Sequence, residues 1–422
     1  MHKKTTLNNG LRVITKKIAN VNSLSLGIWI NIGGRYESAS NKGISHFLEH
    51  LLFKGTRKYS CRLIKESIEG IGGALNGFTS EEFTCYLVKI PHRYWSTSLD
   101  ILSDMVLNPS LKAQDIEKER SVILEELKMY MDLPQSYVYE LLDQLLWPDQ
   151  PLGSPIIGTV ESLNKIGRPQ LAAFQRAHYT PENIVISAVG RLDEGLFNKK
   201  VQGIFSHRVS HGENTFKTAE NTQKKNQLKI FDKDTEQTHM AMGFCGLKRS
   251  HHLKHAQTLL HIILGANMSS RLFNEVREKR ALAYEIATAI KRFSDTGAFL
   301  VHAGIDNRKV TDCLELILKE VSKVKKNGVL KDEFRRAKEF YLGQLLLSLE
   351  DTMEQMLMLG EGLASRDKIY TLQEMIKEVN RVNLADLKQA AQLVFQENKI
   401  NLALIGPLKD KEKAVLSRLS IR

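Results

Sequence analysis

The 422-residue sequence has few cysteines and no long apolar run. It contains four widely separated cysteines, Cys61, Cys85, Cys245 and Cys313. They form no Cys-x-x-Cys pair, which argues against a thiolate metal site or a disulfide framework and is typical of a reduced cytoplasmic protein. No stretch of about 18 apolar residues occurs, and no apolar segment follows Lys3-Lys4. We therefore expect neither a membrane span nor a secretory signal.

The sequence also lacks a recognisable nucleic-acid module, although its formal net charge is +12. Lysine and arginine are distributed through both halves, and no basic stripe is interleaved with aromatic residues. We therefore expect no specific nucleic-acid partner. The charge could favour acidic substrates or anionic membrane surfaces, and solubility charge is the more ordinary interpretation. A basic nucleic-acid-binding protein with incidental metal affinity is the weakest alternative, and salt-sensitive DNA or RNA binding that survives chelation would favour it.

Length and one polar segment predict two domains. A chain of 422 residues exceeds what a single core usually accommodates. Between residues 208 and 227 the sequence is polar and nearly free of apolar residues. We expect one domain at residues 1–208, a linker at 209–226 and a second domain at 227–422. Each half begins with strands and continues with helices, including a long candidate helix at 331–363, so the predicted class is α+β.

The most informative motif is His46-Phe47-Leu48-Glu49-His50. Positions i and i+4 share one helix face, so His46 and His50 can offer ring nitrogens to one cation, with Glu49 beside the remaining coordination position. The order is H-x-x-E-H, the inverzincin pattern. The alternating segment 23–30 and the turn after it predict a strand, a loop and a helix, a context that suits a site at a sheet end. Two surface histidines on an ordinary helix are the alternative.

A catalytic zinc site needs a third protein ligand and an open position, and Glu126 is the candidate. It lies on a long predicted helix opened by Asp115. Glu119 precedes it by seven residues, so the two carboxylates share a face and flank Val122 and Ile123. On spacing alone, an exposed face of mixed charge is the more ordinary interpretation of this helix.

Together these residues resemble the pitrilysin/insulinase family of zinc peptidases, in particular its short bacterial and mitochondrial-processing-peptidase-like members. The stretch 46–56 is followed by Glu126, 76 positions after His50, as in that family. The other matching segments are 33–37, 74–79, 151–153, 157–159, 269–273 and 277–284. The resemblance therefore spans nearly the whole chain.

The resemblance implies a metal centre and a fold. His46, His50 and Glu126 would bind one Zn²⁺ per chain, Glu49 would be the general base, and Glu119 would be a carboxylate that supports the ligands. The implied fold is a pair of similar sheet-and-helix domains, a duplicated α/β-roll, that close like a clamshell on an extended peptide.

The resemblance also implies substrate contacts. Residues 74–88 are typical of a hairpin, and in the family its first strand is an exposed edge to which a peptide can add through its main chain. Asn76 and Phe78 are the expected contacts there, although Asn76 is equally well explained as a turn-favouring residue beside glycines. Arg277 and Tyr284 match the family's Arg-Tyr pair, which donates hydrogen bonds to the developing oxyanion.

The second half contains a near match, residues 251–255, in which Lys254 stands at the position equivalent to Glu49. Lysine would repel a cation and cannot serve as the base, so we interpret this segment as a polar helix start. Strand-turn-helix stretches at 23–54 and 238–264 suggest a duplicated domain with one active site. The loop 264–270 has fewer glycines than the family's glycine-rich form, which leaves its role in substrate capture open.

The main hypothesis is a zinc endopeptidase that hydrolyses unstructured peptides or presequence-like segments enclosed between two domains. The alternative is a catalytically idle core or partner subunit of a related peptidase complex. Retention of the base, the ligands and the Arg-Tyr pair in one chain argues against that alternative. Short members of the family often pair, so we expect a homodimer, with a heterodimer as the other option.

Overall fold

A computed structural model describes residues 2–209, 212–365, 369–409 and 411–421 as a mixed α+β protein. Chain contacts divide it into two compact units, and each is built from segments distant in sequence. The first unit comprises residues 1–128, 154–217 and 346–371. The second comprises residues 129–153, 218–345 and 372–422. Each unit is a sheet with helices packed on it, as the predicted fold class requires.

Helices occupy much of both units. The N-terminal half contains α1 Ile44–Leu52, α2 Cys61–Glu69, α3 Trp95–Leu107, α4 Ala113–Asp132, α5 Pro134–Leu146, α6 Val160–Lys165, α7 Arg168–His178 and α8 Glu194–Phe205. The C-terminal half contains α9 Lys254–Gly265, α10 Val310–Asn327, α11 Lys331–Ser348, α12 Thr352–Ala364, α13 Leu372–Arg381, α14 Leu384–Val394 and α15 Glu412–Leu416. Within the described ranges, no helix is both long enough and apolar enough to cross a membrane.

The first unit contains a six-stranded sheet of order β1-β2-β6-β3-β5-β4. Its strands are β1 Lys3–Thr6, β2 Arg12–Lys17, β3 Ser23–Ile30, β4 Ala74–Thr79, β5 Thr84–Pro91 and β6 Ile184–Gly190. The pair β2–β6 is parallel and the other pairs are antiparallel. In β3, Leu26 and Ile28 enter one core while Trp29 enters another, because alternate residues face opposite sides of a sheet. Both faces of this sheet are therefore covered.

The second unit contains a five-stranded sheet of order β7-β11-β8-β10-β9. Its strands are β7 Gln227–Asp232, β8 Gln237–Cys245, β9 Ala283–Arg292, β10 Gly297–Asp306 and β11 Asn401–Gly406. Only the described pair β7–β11 is parallel. A main core lies between one face of the sheet and helices that include α9, α10 and α14. In both units a helix follows a central strand, β3 before α1 and β8 before α9, as the duplication hypothesis expects.

Each sheet is covered on its second face by a helix from the other half of the sequence. Helix α12 packs on β3 and β6 of the first unit, where Met356 and Leu359 join the core around Trp29. Helix α5 packs on β8 and β11 of the second unit, where Leu142 joins the core around Ala241. The domains 1–208 and 227–422 predicted from the sequence thus each omit one segment of the corresponding compact unit.

One sequence-based expectation about the helices needs revision. The prediction of one helix at 331–363 is wrong, since the helix is interrupted between α11 and α12. The side chain of Asp351 caps α12 by accepting a hydrogen bond from the Met353 N–H at 2.6 Å. The described part of the predicted linker contacts other segments of the chain. Phe216 packs edge-on against Tyr36 at 5.2 Å, and the Glu220 N–H donates to Gln150 Oε1 at 2.8 Å. Linker positions 210 and 211 lie outside the described residues.

Candidate metal centre

Helix α1 presents the two histidines of the motif on one face. Its other face is buried, with Phe47 and Leu48 in the core of the first unit. The helix starts after Gly43, whose φ of +87° is a left-handed conformation that favours glycine. The buried carboxylate of Glu37 accepts the backbone N–H groups of Gly43 at 2.7 Å and Ser45 at 2.8 Å. Its burial raises the pKa of Glu37 to about 7. These contacts fix the position of the helix that carries His46 and His50.

Helix α4 brings Glu126 to the two histidines. Glu126 Oε2 lies 3.9 Å from His46 Nε2 and 3.6 Å from His50 Nε2. The imidazole centroids are 4.6 Å apart, as expected for residues one helical turn apart. One potential ligand atom from each of the three residues lies within 4.8 Å of the others. Among the described residues this is the one group of three or more such side chains close enough to hold a metal ion.

The three side chains fit a zinc ion in chemistry as well as in spacing. Two imidazole nitrogens and one carboxylate oxygen are a donor set typical of catalytic zinc. Burial, with a smaller effect of His50, lowers the pKa of His46 to about 4. The His46 imidazole is therefore neutral near pH 7, which is the form that binds a metal. Its buried Nδ1 has no hydrogen-bond partner among the described residues, so packing rather than a second hydrogen bond orients this ring.

Glu119 contacts His50 from the side away from Glu126. Its Oε2 lies 3.2 Å from His50 Nδ1, and its Oε1 lies 2.6 Å from Lys54 Nζ. Only 6 % of Glu119 is exposed. A hydrogen bond from Nδ1–H to the carboxylate leaves the lone pair of His50 on Nε2, the nitrogen that faces Glu126. Glu119 thus lies where the sequence places a supporting carboxylate.

Glu49 is buried beside the metal group and the edge of the sheet. Burial, and then the nearby Glu126, raise the pKa of Glu49 to about 7. A Cβ added to Gly77 in β4 would lie 3.0 Å from Glu49 Oε1, so the carboxylate adjoins this strand closely. Carboxylates whose pKa is raised toward neutrality by burial and by a like charge are suited to proton transfer. Glu49 therefore has the surroundings of a general base.

The strand β4 is an edge of its sheet and pairs with β5. Asn76 is exposed and its Oδ1 accepts the Gly77 N–H at 2.8 Å. Phe78 is exposed, with 37 % of its surface accessible, and packs edge-on against Trp29 at 5.7 Å. Since Gly77 faces Glu49, its neighbours Asn76 and Phe78 point to the opposite face of the sheet. Their roles as substrate contacts stay predictions, and their side chains do not point toward Glu49.

Arg277 and Tyr284 lie together in the second unit. The guanidinium carbon of Arg277, on a π-helical segment at Phe273–Glu278, is 5.4 Å from the ring centroid of Tyr284 and 4.7 Å from that of Phe273. Tyr284 begins the exposed part of β9, with 74 % of its surface accessible. The structure thus brings these two residues together, while their action on a substrate held by the first unit stays a prediction.

Sequence reasoning missed two residues near the motif. Lys54 had a signal, because it lies four positions after His50 and extends the same helical face. Glu37 lies in the segment 33–37 that resembles the family, but its contact with α1 depends on how the loop between them folds back, which a local pattern does not give. Both lie outside the five-residue motif and contact the helix or carboxylate that holds it.

Both halves of the chain match models of one peptidase family, the family that the sequence motifs resemble. Residues 12–160 match the family described as Insulinase (Peptidase family M16), and residues 165–341 match the Peptidase M16 inactive domain. A Bacillus subtilis protein named uncharacterized zinc protease YmxG is 36% identical over 413 residues, covering 96% of this chain and 98% of that protein. A Streptomyces coelicolor protein, also named an uncharacterized zinc protease, is 34% identical and covers 98% of this chain and 91% of its own length.

Solved structures confirm the fold class. The crystal structure of a protease from Helicobacter pylori has a TM-score of 0.91 at 22% identity and covers 96% of this chain and 100% of that one. A putative M16-like peptidase from Alicyclobacillus acidocaldarius has a TM-score of 0.84 at 18% identity, covering 96% of this chain and 98% of its own. At such identities the likeness shows the fold alone, which is the predicted pair of sheet-and-helix domains.

Proposed function

Because the chain belongs to the insulinase family of peptidases, peptidase family M16, we propose that it is a zinc-dependent endopeptidase acting on extended, unstructured peptides. The observation that carries the proposal is the group His46, His50 and Glu126, with the buried carboxylate of Glu49 beside it. Relatives along the whole chain are named zinc proteases, which supports the same metal and reaction.

His46, His50 and Glu126 would hold one zinc ion per chain. Three protein ligands leave the fourth position that a catalytic site needs. When bound, zinc supplies a Lewis acid that polarises the peptide carbonyl and lowers the pKa of water to about 7. Glu119 contributes by holding the His50 ring through Nδ1, so that Nε2 stays directed at the metal position.

Glu49 would transfer the proton in both steps of peptide hydrolysis. Its carboxylate takes a proton from the attacking water and then donates that proton to the leaving amine. Burial raises the pKa of Glu49 above its ordinary value in the metal-free chain, a direction that favours a carboxylate able both to accept and to release a proton. Its burial beside β4 also limits exchange of that proton with bulk solvent.

The edge strand β4 would hold the substrate by adding it to the sheet. Main-chain hydrogen bonds to an edge strand require an extended peptide and tolerate many side chains. Unstructured segments, including presequence-like ones, meet that requirement, and the expected enclosure between two domains would exclude folded proteins. Arg277 and Tyr284 would donate hydrogen bonds to the developing oxyanion from the second domain.

The decisive experiment is cleavage of a quenched, unstructured basic peptide by the zinc-loaded chain, with Glu49→Gln in parallel. We expect Glu49→Gln to bind one zinc per chain and to lose about 10²- to 10⁴-fold in rate, the usual contribution of a general base. Glu125→Gln is the matched control, because Glu125 neighbours Glu126 on α4 but is exposed and paired with Lys128. It should cleave at the native rate.

Two results would contradict the proposal. Native turnover by Glu49→Gln would remove Glu49 from the reaction. If the native chain binds one zinc but cuts nothing in a broad peptide library, the chain is an idle subunit or requires a missing partner. We further propose a cytoplasmic homodimer, and light scattering that shows only monomer at working concentration would exclude the dimer.

A further inference from the structure

The face of α1 that carries the two histidines continues past the end of the helix to Lys54. Residues 46, 50 and 54 are each four positions apart, which places them on one side of the helix. The helix ends at Leu52, but the Lys54 N–H still donates to Leu51 O at 3.0 Å. Gly55 follows with φ of +123° and turns the chain away. The backbone of Lys54 is therefore fixed one turn beyond His50.

Lys54 reaches from this position to the opposite helix, α4. Its Nζ lies 2.6 Å from Glu119 Oε1, while Glu119 Oε2 lies 3.2 Å from His50 Nδ1. The two oxygens of one carboxylate are thus occupied by two residues of the same face of α1. Glu119 is seven residues before Glu126 on α4, so both carboxylates face α1. Each carboxylate lies next to two side chains of that face, Glu126 next to His46 and His50, and Glu119 next to His50 and Lys54.

We infer that Lys54 is a positioning residue of the metal centre, and this inference rests on the proposed function. Its ammonium holds the Glu119 carboxylate in the orientation that accepts His50 Nδ1–H. That hydrogen bond fixes the His50 ring with Nε2 toward the metal position. Without the ammonium, Glu119 can rotate away from His50, and the ring loses the partner that selects its tautomer.

The surroundings of this ion pair separate it from ordinary surface pairs of the same unit. Lys165 and Glu161 are four residues apart on one helix, with side chains 63 % and 78 % exposed, and such pairs contribute little to stability. Lys54 and Glu119 come from different elements, and the Glu119 side chain is only 8 % exposed. Solvent screening is weaker at a buried carboxylate, so the pair holds a definite geometry.

The size of the effect follows from the place of Lys54 behind the ligand. Loss of a residue that hydrogen-bonds a metal ligand typically costs 10- to 100-fold in metal affinity or activity. Lys54 acts one contact further away, so we expect zinc to dissociate about 3- to 10-fold faster from Lys54→Met. Lys54→Arg keeps a cation that can bind the carboxylate and should stay within about 2-fold of the native rate.

The test measures zinc release into excess chelator from the full-length holoprotein, together with the unfolding temperature of the metal-free protein. The variants are Lys54→Met, Lys54→Arg, Glu119→Gln, the double variant of Lys54→Met with Glu119→Gln, and Lys165→Met as the control for a broken surface pair. We expect faster zinc release from Lys54→Met and near-native release from Lys54→Arg and Lys165→Met. Because Lys54→Met leaves the buried Glu119 carboxylate without its cation, its metal-free unfolding temperature should fall, and Lys54→Arg should restore it. When Glu119→Gln is already present, adding Lys54→Met should not increase the rate of zinc release further.

Three outcomes overturn the inference while the proposed function stands, provided that the native chain retains zinc and cleaves peptide. The first is a rate of zinc release from Lys54→Met equal to that of the native protein. The second is an increase in that rate by Lys54→Met that is as large in the Glu119→Gln variant as in the native protein. The third is a lower metal-free unfolding temperature that Lys54→Arg does not restore. The last would assign Lys54 a purely structural role at the end of α1. A native chain that does not retain zinc would overturn both the inference and the proposed function.

Discussion

Gly360 lies where α12 crosses the sheet of the first unit, and we expect Gly360→Ala to destabilise that unit. A Cβ at this position would overlap Trp29 Nε1 and would lie 2.7 Å from Ser187 Oγ. Trp29 is only 2 % exposed, and its Nε1–H donates to Ser187 Oγ at 3.1 Å. A buried indole held by a hydrogen bond has little room to move, so the new methyl group must displace the ring or the helix.

The expected magnitude combines three effects. Alanine favours a helix interior over glycine by about 1 kcal/mol. Overpacking of a core costs about 1–3 kcal/mol, and loss of the Trp29–Ser187 hydrogen bond costs about 1 kcal/mol. The net loss is about 2 kcal/mol for Gly360→Ala, since the propensity gain offsets the lost hydrogen bond. For a unit of about 200 residues this corresponds to a fall in Tm of about 4–8 °C.

Scanning calorimetry of the full chain would test this expectation against two alanine controls. Gly362→Ala lies on the same helix, where the nearest atom to the added Cβ is Ile369 Cγ1 at 3.6 Å. Gly343→Ala lies within α11 with nothing within 4 Å. Both should gain helix propensity and leave the Tm unchanged or slightly raised. If Gly360→Ala melts at or above these controls, the close packing of α12 on Trp29 is wrong.

Three further predictions concern acid, a buried ion pair and the metal. Burial lowers the pKa of His261 to about 4. Between pH 6.5 and 4 the unfolded chain therefore binds a proton that the folded chain does not, so the free energy of unfolding falls as the pH falls. The loss should be less than about 3 kcal/mol, because the side chain is partly exposed. His261→Gln should flatten the dependence of Tm on pH, and an unchanged slope would exclude this residue as the cause. Arg35→Met should lower the free energy of unfolding in denaturant by about 3 kcal/mol, because Arg35 and Glu82 form a buried pair at 2.6 Å. Arg62→Met removes one partner of an exposed pair and should change that free energy little. Equal losses in the two variants would contradict this reasoning. Zinc at 100 times its Kd should raise the free energy of unfolding of the native chain by about 2.7 kcal/mol and leave that of the His46→Ala variant unchanged. Equal stabilisation of both proteins would show that the metal binds elsewhere.

Local patterns predicted the elements around the metal group well. The alternation at 23–30 corresponds to β3, and the motif lies on a helix, as its spacing indicates. The seven-residue spacing of Glu119 and Glu126 predicted a shared face, but not what covers it. Val122, expected between them in an apolar stripe, is half exposed, while Ile123 is buried. Helical periodicity gives the direction of a side chain, whereas burial depends on elements distant in the sequence.

The exchange of α5 and α12 could not be predicted from the sequence. Both helices have apolar faces, and nothing in a local pattern specifies which sheet such a face will cover. The same limit applies at the site, since Lys54 contacts a carboxylate 65 positions away. His46, His50 and Glu126 could be named as candidate metal ligands because the motif restricts the residue types, and the structure brings the three side chains together. The roles of Glu49, Arg277 and Tyr284 stay predictions until they are measured.

The exchanged helices also bear on what happens when the connection between the halves is cut. Protease nicking within residues 212–226 should not release two independent fragments, because each fragment keeps a helix buried in a unit formed mainly by the other. Expressed alone, residues 1–226 would leave Trp29 and its neighbours exposed to water and prone to aggregation. Co-expressed halves should instead assemble, as in fragment complementation. We therefore expect the two halves to depend on each other for folding, although each carries its own sheet.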